Sequence, residues 1–240
     1  MTAADDIRML RDERGLRADS IDWARLLTIN YRGYVPRGGV VIDVGADDGT
    51  HSHRFRRYLG PERLFLVEPV PERAAALRRE FGRRNGIAVV QVALGAEATT
   101  AEVDRLDNWS IDGRVSFIKV DAGGAELDVV LGGDQLIQRD RPIISIRFET
   151  DTAAMFGHSL ESLFALLDQH DLALVDLFGN VLDEAELREI VDTYHRDYLL
   201  IPTARLAKLD QTRATVRADV LRAIETFNPT VERWKKRLRF

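Results

Sequence analysis

The sequence predicts one α/β domain built on a mainly parallel sheet, and three observations carry that expectation. Short, largely β-branched apolar runs at Val40–Val44, Leu64–Val67, Ile87–Leu94, Val115–Val120 and Ile143–Phe148 read as buried strands. Helix-patterned stretches at 50–59, 71–84 and 124–139 separate most of them, a cadence that means parallel pairing through right-handed crossovers. The 240 residues, 45% hydrophobic and 30% charged, suit one large domain or two small ones and exclude disorder and fibre; no repeat or linker marks a second domain.

The elements follow in order. Residues 1–36 place Ile7, Leu10, Leu16, Trp23, Leu26 and Leu27 among charges at helical spacing, which predicts two helices, the second opening near Ser20 and Asp22. Glycines bound the first strand on both sides, and Pro36 precedes it. The segment 97–113, with Thr99, Thr100 and Val103, looks like an extended excursion. After the fifth strand, helices are expected at 159–168 and 183–194. Leu172–Phe178 and Tyr198–Ile201 read as strands able to pair antiparallel at one edge. Residues 203–240 read as amphipathic helix, interrupted at Asn228-Pro229. The organisation expected is an N-terminal helical extension at 1–36, a central domain at 37–202 and a basic helical extension at 203–240.

Composition narrows the chemistry. With no cysteine there is no disulfide, thiolate nucleophile or cysteine-ligated metal. No run approaches the roughly 20 apolar residues of a bilayer span, and the first residues are charged where a signal peptide needs an apolar core, so a cytoplasmic protein with no membrane partner is expected. Residues 203–240 carry 10 Lys and Arg against 4 Asp and Glu, a net +6, which leaves −11 on residues 1–202 of a chain whose total is −5. That acidic body argues against nucleic acid; arginines on a terminal helix usually form a solvated face, and an alternative use for the tail is to lie on the acidic body of its own or a partner subunit.

The strongest local signal is Val41-Ile42-Asp43-Val44-Gly45-Ala46-Asp47-Asp48-Gly49-Thr50, a strand entering a glycine-bearing turn and then a helix. Such a turn lets a ligand approach backbone and is expected to leave N–H groups free at the helix start. The spacing departs from the dinucleotide fingerprint, because Asp47 stands where the second glycine meets a pyrophosphate, and Asp48 follows. Asp43, Asp47 and Asp48 therefore favour a cationic ligand, S-adenosylmethionine, over NAD. Glu68, 19 positions after Gly49 at the end of the second strand, is placed to accept both hydroxyls of a ribose.

At these residues the chain resembles the FkbM family of S-adenosylmethionine-dependent methyltransferases. VIDVGADDG resembles the family's opening loop, LFLVEPVPE its second strand, VVQVALG its third and VDRLDNW the stretch before the fourth. SFIKVDAGGAELDVVLGG resembles its most specific run and RPIISIRFE its fifth strand. The resemblance spans about residues 38–202. It implies a Rossmann-like class I methyltransferase fold: a mainly parallel seven-stranded sheet with an antiparallel edge strand, helices on both faces and extra terminal helices. It also implies a cofactor site of Asp43, Gly45, Ala46, Asp47, Gly49, Glu68, Pro69, Val92, Ala93 and Asp121, and a hydroxyl acceptor on a sugar or polyketide-like natural product. Gly123 stands where the family has glutamate. The extensions outside the match are expected to form an acceptor lid or a homo-oligomer contact.

Methyl transfer to a hydroxyl requires alignment and removal of a proton. Asp121 closes the fourth strand and Glu149 the fifth, so with Asp43 and Glu68 they are expected along one rim of the crevice. Asp121 has a second reading as the cap of the Gly123–Glu126 turn. His158, in the loop Met155-Phe156-Gly157-His158, is a third catalytic candidate, and His51 either lines the site or faces solvent. Asp121, Glu149 and Asp151 are also hard oxygen ligands suited to Mg²⁺. Two other classes stay open: a nucleotide-cofactor oxidoreductase, disfavoured by Asp47-Asp48, and a non-catalytic methyltransferase-like binding module, favoured by Gly123.

Overall fold

The computed structural model describes residues 5–6, 21–98, 100, 102–193, 196–206 and 209–227. The first expected helix, the Ser20 cap, Thr99 and the Asn228-Pro229 break lie outside them. The main sheet contains β1 (Val40–Val44), β2 (Arg63–Val67), β3 (Ile87–Val90), β6 (Val115–Val120), β7 (Ile143–Arg147), β8 (Leu172–Val175), β9 (Val181–Leu182) and β10 (Asp197–Pro202). Its order is β3-β2-β1-β6-β7-β10-β8-β9. Pairing is parallel from β3 to β7, as the crossover cadence requires, and antiparallel from β7 onward.

The sheet thus has eight strands where seven were expected. The addition is the two-residue β9, which returns through the Gly179-Asn180 turn to form the antiparallel edge. The expected antiparallel pair of β8 and β10 also forms, with β10 inside the sheet between β7 and β8. The run Ile87–Leu94 divides into β3 and a separate β4 (Ala93–Leu94), which pairs with β5 (Val103–Asp104) in a two-stranded parallel ladder.

Strand alternation creates two cores. Val40, Ile42 and Val44 face one side, under α4 (Glu126–Leu131), α5 (Asp134–Asp140), α7 (Leu160–Gln169) and α8 (Glu184–Ile190). Val41, Phe117, Leu199 and Ile201 face the other, under α1 (Trp23–Tyr34), α2 (Thr50–Tyr58), α3 (Pro71–Phe81) and α10 (Asp210–Phe227). The expected helix 124–139 is two helices because Gly132 and Gly133 intervene: a side chain at Gly132 would lie 2.0 Å from the Gly95 carbonyl oxygen. Two short helices, α6 (Thr150–Ala154) and α9 (Thr203–Leu206), follow β7 and β10. The described part of the basic tail is held by apolar packing and one partly buried ion pair. α10 packs on α1 through Val216, Val220, Ala223 and Ile224, with Arg217 paired to the buried Asp6. No helix among the described residues is long and apolar enough to cross a membrane.

Candidate active site

A cavity of about 770 Å³, within the range of small-molecule sites, lies where β1, β2, β6 and β7 end. Parallel strands deliver their following loops to one edge, so the ends of neighbouring strands converge at the switch between β1 and β6. Gly45, Asp47, Glu68, Pro69, Val92, Ala93 and Asp121 of the expected cofactor set line it. Asp43, Ala46 and Gly49 do not; they stand behind the wall. Five carboxylates (Asp47, Glu68, Glu97, Asp121, Asp128) face two guanidiniums (Arg73, Arg147), so the lining is net negative.

The glycine turn is closed upon itself. Gly45 and Ala46 donate their N–H groups to the Val67 carbonyl at 2.9 and 3.0 Å, and Gly49 to Ala46 at 2.8 Å. Asp47 donates to Glu68 Oε2 at 3.0 Å and Thr50 to Asp48 Oδ1 at 2.8 Å. Five of the N–H groups that could meet an anion, those of Gly45, Ala46, Asp47, Gly49 and Thr50, are therefore spent internally, which weakens the turn as a phosphate cradle. Gly45, at φ +69°, has no room for a side chain, since its Cβ would lie 1.9 Å from the Asp121 carbonyl oxygen.

The acidic pair does not act as a pair. Asp47 lies 3.1 Å from Arg73 on the cavity wall. Asp48 turns outward to bind the backbone and hydroxyl of Thr50, which holds its carboxyl below the usual range. Glu68, 2% exposed, also receives the Val70 N–H at 3.0 Å, so both its oxygens are pinned in place while each keeps accepting capacity.

Beneath the cavity runs a chain of charges that the sequence reading did not anticipate. Lys119 is buried on β6, directly opposite Asp43 in the parallel register. Its Nζ lies 3.8 Å from Asp43 and 3.6 Å from Asp121. Asp43 is not on the rim: it is fully buried and accepts from Ser52 Oγ at 2.5 Å. Burial pushes its carboxyl up to about 6, against the opposing pull of Lys119 and Ser52. Asp121 continues to Arg147 at 3.5 Å, and Arg147 to Glu149 at 3.3 Å. Asp197 lies in the field of the same groups, its carboxyl raised by burial to about 6.

The three catalytic candidates part company. Asp121 lines the cavity. The cap of its turn is instead Glu126, whose buried carboxylate accepts from Ala122 at 2.7 Å and Gly124 at 3.0 Å. Glu149 is clamped by Arg147 and by Arg196 at 2.7 Å and does not line the cavity. His158 binds Asp128 at 2.9 Å, and Asp128 is the one that lines it. His51 is half-buried; burial, then Lys119 and Arg54, lower it to about 3, so its ring is neutral. Among the described residues no three His, Asp or Glu side chains converge to hold a metal, so Asp121, Glu149 and Asp151 form no such group. Arg147 and Lys119 were legible only as single cations inside the apolar runs ISIRF and SFIKV.

Gly123 lines the cavity at φ +64°, and a side chain there would meet nothing within 4 Å. Where the resembling family carries glutamate, this chain holds open space. Phe156 also lines the cavity, and neighbouring Met155 is largely exposed. None of the described residues of the two terminal extensions lines it.

Residues 95–174 match the model of the methyltransferase FkbM domain, a span that includes Asp121, Arg147 and Glu149 and leaves out the glycine turn and Glu68. The chain is similar to the 2-O-methyltransferase NoeI of Sinorhizobium fredii, 23% identical over 42% of this chain and 60% of that protein. It shares its fold with the crystal structure of methyltransferase FkbM from Methylobacillus flagellatus KT: TM-score 0.51, 18% identity, 82% of this chain and 60% of that one. The chain thus spans about 60% of the length of both relatives.

Proposed function

We propose that this chain, whose residues 95–174 match the methyltransferase FkbM domain, is a methyltransferase of that family and transfers a methyl group from S-adenosylmethionine to a hydroxyl of a sugar or polyketide-like natural product. The observation that carries the reading is the turn after β1: the N–H groups of Gly45, Ala46, Asp47, Gly49 and Thr50 are satisfied internally while Glu68 remains fixed at the cavity edge. A turn that spends most of its N–H groups internally suits a nucleoside that bears no phosphate, which favours S-adenosylmethionine over a dinucleotide.

Glu68 would hold the ribose diol, using the acceptor capacity that its two backbone partners leave. Asp47 and Asp121, on a net negative wall, would face the cationic end. S-adenosylmethionine supplies a methyl group activated by a sulfonium, so the chain has to align the acceptor and take its proton. Asp121 Oδ1 is the atom we assign to that proton, because of the three candidates Asp121 alone lines the cavity and its other oxygen, Oδ2, faces Lys119 and Arg147. Lys119 and Arg147 orient it from either side. Glu149 and His158 act one residue back, through Arg147 and Asp128.

The name of the Sinorhizobium relative describes 2-O-methyl transfer, which supports oxygen as the acceptor atom. The open volume at Gly123 supports an acceptor with bulk beside its reacting hydroxyl.

The test is calorimetric titration with S-adenosylmethionine and NADH, followed by methyl transfer to a panel of glycans and hydroxylated polyketides with and without EDTA. Tight binding of the first alone, and EDTA-resistant transfer lost in Asp121→Asn, is the expected result. Preference for NADH returns the oxidoreductase reading; binding with no transfer returns the binding module. Transfer abolished by EDTA would place a metal in the step.

A further inference from the structure

Helices α1, α2 and α10 enclose a second cleft of about 1060 Å³ that shares no lining residue with the methyl-donor cavity. Arg25, Arg32, Arg54, Arg57 and Arg222 line it against two aspartates, a net +3 in a chain whose total is −5. The aspartates are already engaged: Asp22 caps α1 and lies 4.0 Å from Arg54, and Asp219 holds Arg222 at 3.0 Å. Arg32 and Arg57 have no carboxylate partner among the described residues. Their guanidinium carbons sit 4.4 and 5.3 Å from the centre of one ring, that of Tyr58.

Two cations brought to one ring repel each other, and an anion between them removes that cost. Guanidinium forks match phosphate oxygens, and the hydroxyl of Thr212 adds a neutral donor to the wall, those of Thr28 and Thr215 being spent on the Ala24 and Gln211 carbonyls. We propose that this cleft binds a small ligand carrying two linked phosphate groups, a diphosphate or one of its esters. Its volume suits one small molecule rather than a running strand of nucleic acid. The −11 carried by residues 1–202 would also repel a long polyanion at the cleft's margins.

The experiment is calorimetric titration of the full chain with inorganic pyrophosphate, and separately with a nucleoside diphosphate and a prenyl diphosphate. Saturable binding that weakens with added NaCl is expected, falling at least roughly tenfold in Arg32→Ala/Arg57→Ala with an unchanged circular dichroism spectrum. Because both arginines cover Tyr58, Arg222→Glu serves as a second variant; that side chain is 72% exposed, and the charge reversal is expected to weaken binding by a similar factor. An ester that binds more tightly than pyrophosphate supports the proposal and names the group beyond the phosphates. No saturable pyrophosphate binding, affinity untouched by both substitutions, or displacement of pyrophosphate by a short single-stranded RNA at lower concentration overturns it. The readout is independent of methyl transfer.

Discussion

The buried Lys119 ammonium lies 3.6 Å from the Asp121 carboxylate, which ties a strand-interior cation to the one catalytic candidate that reaches the cavity. The same ammonium faces Asp43, 3.8 Å away and fully buried, so a single lysine compensates one structural and one site carboxylate.

Lys119→Met is expected to destabilise the fold by about 3–5 kcal/mol, because Asp43 would keep a buried charge without a counter-ion. Adding Asp43→Asn should recover much of that loss. Urea unfolding of the two single variants and the double variant measures the coupling. Additive losses would show that the pair does not interact.

The raised Asp43 carboxyl makes a signed prediction about pH. Its folded value of about 6 exceeds its ordinary 3.8, so its stabilising contribution is complete below 3.8 and is lost as pH rises through 6. The stability of the unmodified chain relative to Asp43→Asn should therefore fall by up to about 3 kcal/mol across that interval and stay level above pH 7. Urea midpoints from pH 4 to 8 give the curve; a difference that grows with pH contradicts the burial argument.

Glu68→Gln should weaken S-adenosylmethionine binding by roughly ten- to a hundredfold. The amide keeps one acceptor, so either the Asp47 or the Val70 N–H loses its partner and the ribose loses a bidentate anion. Titration calorimetry reads the affinity. An unchanged value would remove Glu68 from the donor site.

Two glycines of the same cavity should respond differently. Gly45→Ala forces Cβ against the Asp121 backbone and is expected to cost about 3 kcal/mol or more, whereas Gly123→Ala carries only the left-handed backbone penalty of about 1 kcal/mol. Thermal unfolding of both variants decides it, and equal losses would contradict the geometry at Gly45.

Much of the fold was legible because its signals are local. The runs VVIDV and VSFIKV coincide with β1 and β6, and Gly45, Glu68 and Asp121 reach the cavity because parallel strands deliver their ends to one edge. β9 escaped because two residues carry no period, and the break at Gly132 escaped because its cause is the distant Gly95 carbonyl.

By itself the sequence determined the order of strands and helices, the parallel half of the sheet, and the loops that meet at its switch point. Those follow from apolar periodicity and turn chemistry within a few residues of each position. Only the tertiary structure decided what each charge does: Asp43 buried against Lys119, Glu126 capping the turn offered to Asp121, Asp48 turned outward to Thr50, and Glu149 held by Arg147 and Arg196. The reason is physical. A carboxylate's role depends on the cations and N–H groups within a few ångströms, and apart from the local Asp48–Thr50 contact those partners are set by strand register and packing between segments far apart in the chain.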